Sequence, residues 1–334
     1  MVRVGIIGHG WGARVQEPSF REAGLDVVKV AGRAEWRDLV TSREVDLITV
    51  VLPPPAHREI AIAVLEAGKH VICEKPTAMN AAEAEDLVDA AKRHSSQIAI
   101  IDHELRFLPA WRAARERIGE IGTLRYAEVR YASPGRGDRK RAWDWWSDAS
   151  LGGGIWGAVG SHFIDALRYL GFEIEAAQAS LHTAIAQRPS DGGQRRVTSD
   201  DVAAVHLRLA GGALAMLSIG AVASGPDEPA TITLHGESGA MRLAGEELLL
   251  ARPMKAFARI AGGDLQQRAG NSPGGAFGTG TLLLARAVRA AIESGNREAL
   301  APAATFEDGL TQQRVLDAAR RSSENGGRWE TLSI

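Results

Sequence analysis

Residues 2–13 read VRVGIIGHGWGA, and they decide how the first part of the chain folds. The apolar run Val2–Ile7 is typical of a parallel strand that is buried on both faces. The glycine pattern G-x-G-x-x-[G/A] follows, and it opens a helical stretch that runs to about Ala23. Small residues in this pattern allow a tight turn, close approach of a pyrophosphate and packing of helix on strand. The stretch predicts a nucleotide-binding turn, with Gly8, His9, Gly10, Trp11, Gly12 and Ala13 as candidate cofactor-binding residues.

The size and charge of the chain limit the classes of function that it can have. Its 334 residues are enough for two domains, and 45% hydrophobic with 24% charged residues is a globular composition. The formal net charge is −2 at pH 7 and no basic stripe is present, which argues against nucleic-acid or membrane-surface partners. The longest later apolar run, Ala213–Ala223, is shorter than a membrane span.

A single cysteine, Cys73, lies within an apolar strand-like run. It allows neither a disulfide within the chain nor a multi-cysteine metal site, so we expect no metal and a reducing, cytoplasmic location. The N-terminal apolar run is too short for a signal sequence and reaches a glycine at once.

The end of the second strand bears on the choice of cofactor. The strand Asp26–Gly32 is followed by Arg33, whose guanidinium could bind a 2′-phosphate, so the sequence favours NADP over NAD. Alternatively, Arg33 is a solvated turn residue and Glu35 provides the carboxylate that NAD requires. The next strand, Val45–Leu52, begins so soon that a helix and a strand of a standard doubly wound half are missing. We expect this edge of the sheet to be trimmed.

Two further segments are predicted to lie at the carboxyl edge of the parallel sheet, where ligands bind in such folds. A proline loop begins at Pro53 and reaches His57, which starts a helix that ends near Gly68. Residues 67–76 read AGKHVICEKP, a short strand that ends at Glu74 and Lys75. The proline at position 76 holds the preceding lysine in an extended conformation. Pro53, His57, Glu74 and Lys75 are therefore candidate cofactor-binding residues.

From Leu124 onward the sequence alternates as half-buried antiparallel strands do. We therefore place a boundary near residue 120, with domain 1–120 binding the nucleotide and domain 121–334 binding substrate. The expected strands are Gln178–Thr183, Val202–Leu209, Ala213–Ala221, Ala230–His235 and Met241–Leu243.

A glycine-rich segment and a helix interrupt the first strands of this second domain. Residues 152–171 read GGGIWGAVGSHFIDALRYLG, and His162 and Asp165 share one helix face with Ala158 and Tyr169. Three tryptophans lie just upstream within Trp143–Trp146 and could stack on a sugar or pack between domains.

Taken in order, these motifs resemble the Gfo/Idh/MocA family of NAD(P)-dependent oxidoreductases, and the resemblance covers nearly the whole chain. Besides the segments above, it includes Arg106-Phe107-x-Pro109 and the late Thr305–Gly309. The resemblance implies an N-terminal Rossmann domain with a doubly wound parallel sheet. It also implies a C-terminal α/β domain with an open, mainly antiparallel sheet, whose outer face commonly builds dimers or tetramers.

The resemblance also implies roles for single residues. Lys75 would contact both nicotinamide and substrate and stabilise developing alkoxide charge. His162 would exchange the proton of the reacting hydroxyl, since imidazole titrates near neutrality. Asp165 would orient His162 or a substrate hydroxyl, and the substrate pocket would be completed by Arg106, Trp143 and Trp145.

Two positions depart from the family pattern. The family usually carries an Asp four residues before the histidine, where this chain has Ala158, and an Asn three residues before Phe107, where it has Glu104. Either another acid takes part, with Glu104, Asp102 and Asp144 as candidates, or catalysis is weakened or lost.

The resemblance favours a dehydrogenase that transfers hydride between a nicotinamide cofactor and a CH–OH group of a sugar, polyol or related keto compound. The alternatives are a non-catalytic NAD(P)-binding sensor on the same scaffold, which Ala158 favours, and a redox-assisted glycoside-cleaving enzyme. The partners expected are a small-molecule substrate and further copies of the chain, as a homo-dimer or homo-tetramer.

Overall fold

The computed structural model describes residues 1–261 and 275–332, which form two compact units. The first unit contains residues 1–108 and 275–313, and the second contains residues 109–261 and 314–332. The sequence-based division at residue 120 assigns 275–313 to the second domain, whereas these residues pack with the first unit.

Among the described residues, the first unit contains a six-stranded sheet in the order β2-β1-β3-β4-β5-β16. Five neighbouring strands are parallel, and only β16 pairs in the antiparallel sense. The strand β2 forms one edge, as the short connection after it predicts. The strands are β1 (Arg3–Ile7), β2 (Asp26–Ala31), β3 (Leu47–Val50), β4 (His70–Cys73), β5 (Ala99–Ile101) and β16 (Ala304–Thr305).

Helices cover both faces of this sheet, so the expected doubly wound Rossmann fold is confirmed. One face packs against α2, α3 and α4, and the other against α1 and a later helix, α7. These helices are α1 (Glu17–Glu22), α2 (Trp36–Thr41), α3 (His57–Glu66), α4 (Ala81–Arg93) and α7 (Gly275–Ser294).

Helix α7 explains why residues 275–313 belong to the first unit. Its buried side chains Leu284 and Val288 lie in the same core cluster as Val4 and Ile6 of β1. Burying one leucine-sized side chain stabilises a fold by ~1.5–3 kcal/mol, so this apolar face ties the late segment firmly to the first sheet.

The second unit contains a nine-stranded, mainly antiparallel sheet among its described residues, in the order β15-β14-β13-β12-β6-β11-β10-β7-β17. Strands β6 and β11 form its one parallel pair there. The strands are β6 (Leu124–Ala132), β7 (Ile174–His182), β10 (Val202–Leu209), β11 (Leu214–Gly220), β12 (Thr231–Gly236), β13 (Ala240–Ala244), β14 (Glu247–Ala251), β15 (Ala258–Ala261) and β17 (Glu330–Thr331). A separate hairpin joins β8 (Gln187–Ser190) and β9 (Gly193–Arg196).

Among the residues that the structure describes, three helices belong wholly or partly to this unit: α5 (Pro109–Arg117), α6 (Ser161–Tyr169) and α8 (Phe306–Glu324), which begins in the first unit. A wide, π-type turn, Trp156–Gly160, leads directly into α6. The indole N–H of Trp156 donates to the carbonyl oxygen of Leu316 at 3.2 Å, which links this turn to α8. No helix among residues 1–261 and 275–332 has both the length and the apolar character that a bilayer crossing requires.

Most predicted strands of this unit coincide with observed ones, but β7 begins earlier than predicted. It starts at Ile174 rather than Gln178, because Ile174, Ala176 and Ala177 are buried and extend the paired surface.

Candidate active site

The glycine-rich turn after β1 has the shape that a pyrophosphate requires. Gly8 has φ +139°, and a side-chain carbon there would lie 2.1 Å from the carbonyl oxygen of Val51. A side-chain carbon at the exposed Gly10 would meet nothing within 4 Å, so the backbone is open to a ligand at this point. The turn continues into the wide helical turn Gly12–Gln16. These features fit a dinucleotide, and Gly8–Ala13 are the residues that would hold its phosphates.

Behind the proline loop, His57 organises two neighbouring segments. It is fully buried, with Nε2 2.7 Å from the carbonyl oxygen of Leu52 and Nδ1 3.0 Å from that of Pro76. Burial lowers the pKa of the imidazole. The structure thus places His57 between the loop that includes Pro53 and the segment that carries Lys75, where it connects the two rather than facing a ligand.

Lys75 lies just beyond the carboxyl end of β4 and is half-buried. The preceding Glu74 is hydrogen-bonded through its backbone N–H to the carbonyl oxygen of Val50 at 3.0 Å. Its own carboxylate accepts from the Lys75 N–H at 3.2 Å. These contacts hold the lysine at the ligand edge of the sheet, where the sequence predicts it.

Two further acids belong to this same edge. Asp102 leaves β5 beside Glu74, since its N–H donates to the carbonyl oxygen of Cys73 at 2.8 Å. Glu104 follows in the helical turn Glu104–Phe107, and both acids are buried. Gln16 joins the group, because its Nε2 donates to Asp102 Oδ2 at 2.8 Å and lies 3.4 Å from Glu74 Oε1.

The surroundings favour the protonated form of these acids. Burial and the neighbouring Asp102 raise the pKa of Glu74 to about 8, although Lys75 opposes this. Burial also raises the pKa of Asp102 and, together with the other two carboxyl groups, raises that of Glu104 well above its ordinary value. The sequence offers three acids in place of a carboxylate at position 158. Two of them, Asp102 and Glu104, lie close enough to Lys75 for its charge to lower their pKa.

Arg33 and Glu35, the two candidate residues for selecting the cofactor, lie in the turn that follows β2. Arg33 is exposed to solvent. Glu35 accepts from the N–H of Gly32 at 3.1 Å and pairs with the ammonium of Lys29 at 2.8 Å. These contacts lower the pKa of Glu35, so its carboxylate stays ionised, and the ring of His9 lies next to Gly32.

Arg106, a predicted substrate-binding residue, is buried and has structural contacts within the first unit. Its guanidinium lies 3.3 Å from the Asp308 carboxylate and donates to the carbonyl oxygen of Pro302 at 3.3 Å. These contacts connect the turn after β5 to the start of α8.

In the second unit, His162 and Asp165 lie on α6 and are both buried. Ala158 is also buried, but it lies in the π-type turn before α6, so its place on one face with His162 stays a prediction. Asp200 caps the start of this helical segment: its Oδ2 accepts from the Trp156 N–H at 2.7 Å. Gly154, with φ +114°, lets the backbone pass close to Asp200.

The tryptophan segment is held by arginines. The indole N–H of Trp143 donates to the carbonyl oxygen of Arg196, and the Arg195 guanidinium lies over its ring. Trp145 is more exposed and packs at a tilt on Trp146. The substrate-binding role of Trp143 and Trp145 stays a prediction.

Asp144, the third acid that the sequence offers, has a structural partner in this segment. Its carboxylate accepts two hydrogen bonds from the Arg136 guanidinium, at 2.7 and 3.2 Å. Burial opposes ionisation, but this pair holds the pKa of Asp144 below its ordinary value. Asp144 therefore helps to stabilise this segment through its ion pair with Arg136.

The sequence did not reveal the contacts of Gln16 in the first unit or of Asp200 in the second. Gln16 lies on the predicted helix, but nothing local shows that it reaches Asp102, which is 86 positions away. Asp200 lies 44 positions after Trp156, and only its place beside Asp201 at the start of a strand marks it.

Two family models match the chain. The model described as "Oxidoreductase family, NAD-binding Rossmann fold" matches residues 26–102, and the model "GFO/IDH/MocA C-terminal domain" matches residues 111–242.

Known proteins show the same relationship. An uncharacterized oxidoreductase of Synechocystis sp. is 32% identical over 269 residues, covering 73% of this chain and 72% of its own. Glucose-fructose oxidoreductase domain-containing protein 2 of Homo sapiens is 27% identical over 99% of this chain and 93% of its own. The structure of a levoglucosan dehydrogenase in complex with NADH and levoglucosan superposes with a TM-score of 0.87, at 25% identity and over 100% of both chains. With these matches and the Rossmann unit described above, the chain belongs to the Gfo/Idh/MocA family and is an NAD-binding oxidoreductase.

Proposed function

We propose that this protein is a dehydrogenase that transfers hydride between a nicotinamide cofactor and the carbon of a sugar or polyol hydroxyl. The observation that carries the proposal is Lys75, held at the ligand edge of an NAD-binding sheet beyond β4. A lysine ammonium at this edge can stabilise the negative charge that develops on a reacting oxygen.

A similar structure supports a proposal for the substrate class. It is a levoglucosan dehydrogenase in complex with NADH and levoglucosan. Another, at 20% identity, is an inositol dehydrogenase homolog from Azotobacter vinelandii in complex with NADH and myo-inositol, and this likeness supports the fold alone. We therefore propose a cyclic polyhydroxylated substrate.

Two side chains are assigned to the chemistry. The nicotinamide, when bound, supplies the hydride acceptor or donor. Lys75 binds the reacting oxygen and favours its anionic form. His162 accepts the hydroxyl proton during oxidation and returns it during reduction, because imidazole exchanges protons near neutral pH. Asp165, one turn further along α6, is assigned to orienting His162 or a substrate hydroxyl.

The cofactor choice is proposed to depend on Arg33 and Glu35. Arg33 is exposed and could bind a 2′-phosphate, which favours NADP as the sequence predicts. Glu35 is ionised at the end of β2, where a carboxylate accepts from a ribose 2′-hydroxyl and repels a 2′-phosphate. The Lys29 ammonium neutralises part of the Glu35 charge and weakens that repulsion.

Substituting these two residues separates their effects. We expect Arg33→Ala to weaken NADP binding by about tenfold and NAD binding much less, since one charge-assisted contact is lost. Glu35→Gln is expected to do the reverse, weakening NAD and strengthening NADP. Calorimetric titration of each variant with both reduced cofactors measures this, and Arg43→Ala, on the surface of the same unit, serves as the control. Equal losses for both cofactors in Arg33→Ala would remove the argument for NADP.

A non-catalytic NAD(P)-binding sensor is the second candidate. Ala158 favours this candidate. It is buried in the turn that leads into α6, at a position where the family usually carries an aspartate. Such a protein would bind cofactor tightly without oxidising any sugar or polyol.

We further propose that the chain assembles as a homo-dimer or homo-tetramer through the second sheet. Exposed apolar side chains, Leu214 and Met216, lie on β11 beside the exposed Tyr126 of β6. Tyr126 in turn stacks on His235, with ring centroids 4.4 Å apart. Sedimentation velocity measures the assembly state.

The proposed activity is tested by incubating the full chain with NAD⁺ or NADP⁺ and a panel of levoglucosan, myo-inositol and common hexoses, while reduced nicotinamide is followed by absorbance. The dehydrogenase proposal expects accumulation with at least one compound. A single-turnover measurement at enzyme concentrations above that of cofactor also detects a glycoside-cleaving enzyme, whose cofactor takes up a hydride and returns it within one cycle, so that reduced nicotinamide appears only transiently.

A further inference from the structure

Glu74, Asp102 and Glu104 follow the ends of β4 and β5. If all three were ionised, their negative charge would exceed the single positive charge of Lys75. Asp102 is 1% exposed and Glu104 is 3% exposed, while Glu74 is half-buried beside them. With all three ionised, this small region would carry two net negative charges even with Lys75 protonated. Like charges that share a buried site cannot all stay ionised, so at least one carboxyl group takes up a proton.

The hydrogen bonds of the cluster lead to the same conclusion independently. Gln16 is fully buried, and its single amide donates to Asp102 Oδ2 and approaches Glu74 Oε1. The remaining oxygens, Gln16 Oε1 and Asp102 Oδ1, are buried and have no donor among the residues that the structure describes. A buried acceptor without a donor is unfavourable, and a protonated carboxyl group is a donor that this cluster can provide.

Glu104 packs tightly against helix α7. A side-chain carbon at Gly280 of α7 would lie 2.6 Å from the Glu104 carbonyl oxygen and 3.0 Å from its Cγ. The helix therefore lies directly against both the backbone and the side chain of Glu104. Glu104 is 3% exposed in this packing.

We propose that Glu74, Asp102 and Glu104 form one proton-holding site beside Lys75, in which a protonated carboxyl group donates to a neighbouring carboxylate at neutral pH. The three acids are positioning residues, since they act through the Lys75 ammonium. Their role in positioning rests on the proposed dehydrogenase function, whereas the shared proton does not depend on it.

Among the described residues of the first unit, the charged or titratable groups near the cluster include Lys75, Cys73, Arg106 and the buried His103, which stands between Asp102 and Glu104 in the chain. Lys75 lowers the pKa of all three acids, against the larger effect of burial. Cys73 precedes them on β4, and burial raises the pKa of its thiol well above the ordinary value, so it stays neutral. Arg106 follows Glu104 but lies against Asp308.

Carbon-13 NMR of the full chain, labelled at the carboxyl carbons of Asp and Glu and free of cofactor, tests the proposal. We expect at least one resonance in the position of a protonated carboxyl group at neutral pH, which titrates only as the pH is raised further. Glu74→Gln should change the titration of the protonated carboxyl group that remains, because it removes one of the interacting acids, and Glu120→Gln, an exposed partner of Arg117, should leave the resonance unchanged. The wild-type spectrum decides the matter even if a variant fails to fold. If every carboxyl resonance is ionised at neutral pH, internal water satisfies the buried oxygens and the proposal is wrong.

Glu104→Gln provides the functional readout. Removing one like charge should lower the apparent pKa of the remaining Glu74 and Asp102 pair by ~1 unit, in the NMR titration and in the pH profile of kcat alike. An unchanged titration of the pair in Glu104→Gln would contradict a shared site. Turnover without a protonated resonance would overturn this proposal alone, and a protonated resonance without turnover would overturn only the dehydrogenase proposal.

Discussion

Replacing Lys75 by alanine is expected to lower kcat/KM by ~10²–10³-fold, because the site loses the ammonium that stabilises developing charge on the reacting oxygen. The effect should be mainly on kcat, since the interaction strengthens as the oxygen becomes anionic. Lys75→Arg is expected to recover only part of the activity, because guanidinium spreads its charge over a planar fork. Steady-state kinetics with the best substrate of the panel measures both variants.

The matched control is Lys92→Ala, which removes an exposed lysine of α4 in the same unit. It should leave kcat/KM unchanged. Binding of reduced cofactor, measured by calorimetry, shows whether a loss of activity reflects a loss of binding. Full activity of Lys75→Ala would remove the role assigned to this lysine, whatever the behaviour of the other residues.

Replacing His162 by glutamine is expected to lower kcat by ~10²–10⁴-fold, the usual contribution of general acid–base catalysis. Oxidation needs the neutral imidazole as proton acceptor, so the wild-type rate of alcohol oxidation should fall as the pH is lowered and the ring is protonated. Reduction needs the imidazolium and should fall as the pH is raised. The variant should lose both dependences, which pH profiles of kcat in the two directions report.

His206→Gln on β10 serves as the control, because it removes an exposed histidine of the same unit without touching α6. His162 is buried, so thermal unfolding of both variants is compared to separate lost chemistry from lost stability. A His162→Gln enzyme that folds and keeps the wild-type pH profile would show that another group exchanges the proton.

The sequence indicated the first sheet and its ligand edge because local patterns specify them. The apolar run before Gly8 and the proline after Lys75 each restrict the backbone within a few residues, so strand, turn and lysine could be placed without tertiary information. The helix that carries His162 and Asp165 followed from its 3.6-residue periodicity in the same way.

Local sequence patterns could not predict packing between segments that are far apart in the chain. Helix α7 is apolar on one face, but its sequence does not tell which sheet that face covers, and it packs on the first one. The polar hairpin β8–β9 lacks hydrophobic alternation and was not predicted. The Arg106 contact with Asp308 joins positions 202 residues apart, and no spacing rule indicates such a pair.

The most direct test of the account is single-turnover reduction of NAD⁺ or NADP⁺ by the sugar and polyol panel, with wild-type enzyme and Lys75→Ala compared side by side. We expect reduced nicotinamide to form with at least one compound in the wild type, and the rate to fall ~10²–10³-fold in the variant. Tight cofactor binding without reduction by any compound in the wild type would contradict it.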